Sequence, residues 1–109
     1  MNEQVKEYLE KFPCEIKDLF GSLRSLIYDS VKADVEETLW AKLPSYYVGD
    51  SFVRLIAFKD HINIEAKAVL AHKEELTDYK ITPKGMLQIF VNQAVPTNVL
   101  KQIFPETLA

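Results

Sequence analysis

The sequence predicts an α+β fold: a mainly antiparallel sheet of about five strands, preceded by two helices, joined by short connecting helices and closed by a C-terminal helix. Three observations lead there. Apolar residues recur at helical spacing through the first third of the chain. The spacing switches to alternation between Tyr46 and Ile64. Helical spacing then returns after Pro96.

Val5, Tyr8, Leu9 and Phe12 fall at i, i+3, i+4 and i+7, the apolar stripe of a short first helix. Glu7 and Lys11 form an i,i+4 pair on its wet side. Pro13 breaks that helix, and its fixed φ suits the first turn of the next. From there Ile16, Leu19, Phe20, Leu23, Ile27 and Val31 keep helical spacing for about five turns. Gly21 lies off the stripe and costs about 1 kcal/mol relative to Ala. Asp34 and Glu37 have the spacing of a capping box, with Asp in place of Ser or Thr. That predicts a third, short helix over Val35–Ala41, ended by Pro44.

Tyr46, Val48, a Gly49-Asp50-Ser51 turn, then Val53, Leu55 and Ala57 read as a hairpin of period two. Lys59-Asp60 is the next turn, and Ile62 and Ile64 mark a third strand, so the run is an antiparallel meander. Val69, His72 and Leu76 place a short helix after it. Tyr79–Thr82 is a fourth strand, Pro83-Lys84-Gly85 a turn, and Met86–Val91 a fifth strand. Thr97 is placed to cap the last helix, whose apolar face is Val99, Leu100, Ile103 and Phe104. The expected core includes Leu19, Phe20, Leu23, Ile27, Leu55, Ile89 and Phe104.

With 109 residues and no linker or repeat, residues 1–109 read as one domain. The net charge of −3 and the absence of a dense Lys/Arg run disfavour nucleic acid as a partner. A single cysteine, Cys14, excludes an internal disulfide and suits a reducing compartment; near a helix start it reads as a small packed residue. The N-terminal residues lack a signal-peptide pattern, and no apolar run approaches the roughly 18–20 residues of a membrane span. A cytoplasmic protein with no membrane partner is expected.

Four strings in order carry a family likeness: Leu39-Trp40-Ala41-Lys42-Leu43-Pro44, Phe58-Lys59-Asp60-His61-Ile62, Glu74-Glu75-Leu76-Thr77-Asp78-Tyr79-Lys80 and Lys84-Gly85-Met86-Leu87-Gln88-Ile89. Leu23-Arg24-Ser25-Leu26-Ile27 precedes them. Together they resemble the YdhG-like family, a domain of unknown function related to frataxin-like iron chaperones, over Val5 to Phe104. Asn63 and Glu65 stand where members often carry Gly and an aromatic residue, and Pro83 lengthens the turn before Lys84-Gly85. The resemblance implies a carrier that holds ferrous iron weakly and transiently, with no tightly bound cofactor, and delivers it to iron–sulfur or haem assembly proteins.

Candidate chemistry falls in a few places. Asp34, Glu36 and Glu37 are the densest acids, and hard oxygen ligands suit iron, although acids at a helix start are also stabilised by its dipole. His61, beside Asp60, is a further metal-ligand candidate or a surface turn residue. His61, Asn63 and Glu65 share one face of a strand, a polar strip or simply its solvent side. His72 and Glu75 have i,i+3 spacing, but His72 aligns with Val69 and Leu76 and is expected to pack, partly buried. Trp40, Tyr46 and Tyr47 are expected at the core or its edge, with a pocket between third helix and sheet as the alternative. Lys59, His61 and Lys80, with Tyr46, compose a second candidate surface, suited to a small anionic ligand or a protein partner. No phosphate loop, nucleophile elbow or paired catalytic carboxylates occur, so a non-enzymatic binding or carrier domain is expected.

Overall fold

The structure is a computed structural model that describes all 109 residues. Helix α1 spans Glu3–Leu9, and Asn2 caps it by accepting the Val5 N–H at 3.0 Å. Helix α2 spans Cys14–Ser30 behind Pro13, burying Ile16, Leu19, Phe20, Leu23 and Ile27 as its spacing predicts. Cys14 itself is exposed, so the packed role expected for it does not hold.

The third helix expected over Val35–Ala41 is a strand. Residues Glu36–Trp40 form β1, which turns back at Ala41-Lys42 into β2, Leu43–Val48. Ala41 and Lys42 both take left-handed backbone, φ 51° and 67°, as a two-residue hairpin turn of the I′ kind requires. The capping-box spacing of Asp34 and Glu37 was misleading because the residues between them fit a pleat. Glu37 and Leu39 face inward while Glu36, Thr38 and Trp40 face outward.

Strands β3 (Ser51–Ala57) and β4 (His61–Glu65) continue the meander through the expected turns, with Gly49 at φ 59° in the first. A 3₁₀ segment, Lys67–Glu75, stands where the short connecting helix was expected. Strands β5 (Lys80–Ile81) and β6 (Leu87–Phe90) complete an antiparallel sheet of six strands in the order β1-β2-β3-β4-β6-β5, one more than the sequence suggests. Helix α3 spans Thr97–Leu108. Thr97 is its first residue rather than its cap, since its hydroxyl donates back to the Val95 carbonyl at 3.4 Å.

Alternation divides the sheet into two faces. Tyr46, Val53, Leu55, Ala57, Ile62, Ile64, Leu87 and Ile89 point toward the helices and join one core of 24 buried residues. All seven expected core residues belong to it. The opposite face carries Trp40, Tyr47, Phe52, Arg54, Ile56, His61, Asn63, Glu65, Gln88 and Phe90, and no helix packs over it. No helix of the chain is long and apolar enough to cross a membrane.

Candidate functional site

An uncovered sheet face is ordinarily polar, so that alternation separates core from water. Here aromatic side chains stand among the polar ones, in three groups. At its centre stands Arg54, only 6% exposed although it faces away from the core. Its guanidinium lies 3.8 Å from the Phe52 ring centroid and 4.1 Å from that of Trp40. It donates to Ser45 Oγ at 3.0 Å, Tyr47 Oη at 3.1 Å and Glu65 Oε1 at 3.2 Å. The weakly hydrated, planar guanidinium tolerates this enclosure because it stacks and bonds at once. Trp40 remains 54% exposed, so the stack has a wet outer side.

The second group surrounds His61. Its ring stacks on Phe58 at 4.6 Å and 9°, and meets Phe90 at 4.7 Å, while Nδ1 contacts Asp60 at 2.8 Å. Pairing of β4 with β6 and of β6 with β5 sets Asn63, Gln88 and Lys80 in one line across the face. Asn63 is 8% exposed, and its Oδ1 is buried without a hydrogen-bond partner. Lys59 lies exposed in the turn before His61.

At the other end of the face is a cleft of about 310 Å³, between Phe52, the end of β4, the start of the 3₁₀ segment and the turn before β6.

The structure brings only some of the expected site residues together. Glu36 and Glu37 are neighbours on one strand and therefore project to opposite faces. Glu37 turns inward, its side chain 7% exposed. Its carboxylate accepts from Arg24 Nε at 2.7 Å, Tyr46 Oη at 2.8 Å, the Asn2 backbone N–H at 2.8 Å and Arg24 Nη2 at 3.3 Å. Burial on its own would raise the pKa of Glu37, but these donors and the arginine charge outweigh it and hold the group below the ordinary value. Burial, together with its bond to Glu37, pushes Tyr46 far up. Glu37 is thus occupied, leaving Asp34 and Glu36 as the exposed pair; these two line a cleft of about 440 Å³ with Trp40 and Tyr47. No group of three or more His, Cys, Asp or Glu side chains converges as a metal site.

Tyr46 is fully buried on the covered face and cannot share a surface with Lys59, His61 and Lys80, which remain on or beside the open one. His72 packs partly buried as expected, but both ring nitrogens meet carboxylates: Nδ1 lies 2.8 Å from Glu75 and Nε2 3.0 Å from Glu106. The Glu75 contact, then that of Glu106, raises its pKa.

Sequence reasoning passed over Phe52, Arg54 and Phe90. The signal was in the alternation: once Val53, Leu55 and Ala57 are inward, Phe52 and Ile56 are apolar residues on a wet face. Comparison of the chain with family models, curated proteins and solved structures finds no match.

Proposed function

We propose that this protein is a non-enzymatic binding module whose working surface is the uncovered sheet face. The observation that carries this reading is the cluster of partly exposed aromatic side chains about the enclosed Arg54, on a face that folding leaves without a cover. Side chains such as Trp40 and Phe58 contribute nothing to the core from there, whereas a ligand or partner laid on them would bury apolar area at about 25 cal/mol per Å². Lys59, in the turn before His61, and Lys80, at the β5 edge of the same sheet, favour an anionic partner.

A specific observation favours a second reading, the iron carrier that the YdhG-like resemblance implies. Asp34 and Glu36 line one cleft, exposed, and two carboxylates of that kind suit a hard cation held loosely and released to a tighter site in an iron–sulfur or haem assembly partner. Trp40, the only tryptophan, lines the same cleft and would report occupancy by fluorescence.

One anaerobic NMR titration tests both. Inorganic phosphate and citrate should move the amides of Phe58, Lys59, His61 and Lys80. Ferrous ions moving Asp34 and Glu36 and quenching Trp40 would favour the carrier instead. Silence from both at millimolar concentration would overturn both readings as far as they concern ions.

A further inference from the structure

The cleft at the Phe52 end of the open face has features that its role in the fold does not require. Leu70, in the 3₁₀ segment, is 56% exposed at the rim, so its packing gains little for stability. It rests against Gly85, where a Cβ would come within 3.4 Å of Leu70 Cδ1, and Gly85 holds φ 88° in the turn before β6. The Phe52 ring is fixed from behind by Arg54 at 3.8 Å and by Tyr47, whose ring centroid is 5.9 Å away. An apolar floor and an apolar rim are therefore set before anything binds.

The charges around them are unequal. Lys67, Lys84 and Asp50 line the cleft, and none forms an ion pair within the chain. Glu65 also lines it, but its charge is already met by Arg54 at 3.2 Å. Two free ammonium groups against one free carboxylate leave an excess positive charge beside an aromatic ring. The volume, about 310 Å³, falls at the lower end of the range for small-molecule sites, roughly 300–1,000 Å³.

We infer that this cleft binds a small amphipathic anion: an apolar or aromatic body against Phe52 and Leu70, bearing a carboxylate or phosphate met by Lys67 and Lys84. The inference rests on the reading of the open face as the working surface and gives that face a specific ligand site at the end remote from His61. The body supplies the area term and the anion the orientation, since a lysine pair can meet either oxyanion but neither lysine can hold a neutral head group equally well. Asp50 on the same rim offsets part of the positive charge, so a compact head group, a carboxylate or a single phosphate, fits better than an extended polyanion.

The test is an amide-shift titration of the whole chain with phenylacetate, phenyl phosphate, inorganic phosphate and benzyl alcohol. The two amphipathic anions should give saturating shifts at Phe52, Lys67, Leu70 and Gly85, with the better of them identifying the head group. Inorganic phosphate and benzyl alcohol, each with half of the chemistry, should bind there at least about tenfold more weakly. Combined Lys67→Gln and Lys84→Gln substitution should weaken the anions about tenfold while leaving benzyl alcohol and the unfolding midpoint unchanged, because both sites are on the surface. Shifts that gather instead at Phe58, His61 and Phe90 would overturn the cleft while sparing the open-face reading. No shift anywhere on that face would sink both. Equal binding by the wild type and the double variant would overturn the role given to the lysines.

Discussion

Each face of the sheet holds an arginine, a glutamate and a tyrosine, and the two sets are built in opposite senses. Adjacent tyrosines make the division, for Tyr46 points into the helix-covered side and Tyr47 out of the other. On the covered face the carboxylate is the hub: Glu37 is 7% exposed and Arg24 reaches it from α2 with a 25% exposed side chain. On the open face the cation is the hub, with the Arg54 side chain 7% exposed and Glu65 34%. A buried carboxylate needs converging donors, and Asn2 at the head of α1, Arg24 on α2 and Tyr46 on β2 supply them. A buried guanidinium can be enclosed by rings alone on its faces, so it needs no overlying helix. The first arrangement joins α1, α2, β1 and β2; the second holds aromatic residues in place on an open surface.

The largest effect should come from the packing both sets depend on. Leu23→Ala, in the centre of α2, should lower stability in urea by about 2–5 kcal/mol, as truncation of a buried leucine does. Glu37→Ala should follow at about 3 kcal/mol, the low end for breaking a buried pair, because the stranded Arg24 can partly reach water. The same residue sets an acid limb. With its pKa held down in the folded state, Glu37 contributes stability fully present above its unfolded value, near pH 4.3, and lost as pH falls through the folded value below it. Urea midpoints measured from pH 6 to pH 2.5 should therefore fall less steeply in Glu37→Gln than in wild type.

Arg54→Ala should cost about 2 kcal/mol, from lost stacking and charge-assisted bonds, and should shift the emission of Trp40, whereas Glu37→Ala should leave that emission alone. An Arg54 variant as stable as wild type would show that the open-face cluster does not hold itself together. Glu65→Gln should cost no more than about 1 kcal/mol, since its carboxylate is a third exposed. The smallest effect belongs to neither cluster. His72, with its pKa raised by Glu75 and Glu106, stabilises the contact of the 3₁₀ segment with α3 below about pH 6.5 and loses that contribution as pH rises through its folded value. Amide exchange in Lys67–Glu75 should quicken between pH 6 and pH 8, beyond its intrinsic dependence, and should not do so in His72→Gln.

The asymmetry between the faces also explains what could be read from the sequence. Long periodic segments were legible: the stripe of α2, the alternation of β3 and β4 and the apolar face of α3 depend on residues that all face one core. β1 was hidden because its turn is Ala41-Lys42, with neither Gly nor Asn to mark left-handed backbone, and because Asp34 and Glu37 imitate a helix start. That error carried into the acidic site, since acids at a helix start would share its exposed first turn, whereas Glu36 and Glu37 on a strand point to opposite faces of the sheet. Tyr46 was misplaced beside Lys59 for a similar reason: its face depends on a register that only the neighbouring strands fix. Arg54 was missed because a lone arginine in an alternating strand looks like an ordinary solvent-facing residue until rings from two other positions close over it.

The reach of Asn2 has a consequence for self-association. β1 is an edge strand of five residues, long enough to offer backbone groups to another chain, while β5 at the opposite edge has only two. Asn2 caps α1 with its side-chain oxygen, donates its side-chain nitrogen to the Glu37 carbonyl at 3.2 Å and its backbone N–H to the Glu37 carboxylate. One residue thus draws the first helix against the vulnerable edge and occupies part of its hydrogen-bonding capacity. Loosening that attachment would free outward backbone groups of β1 for pairing with another strand, so the Asn2 contacts close part of an edge that would otherwise stand open.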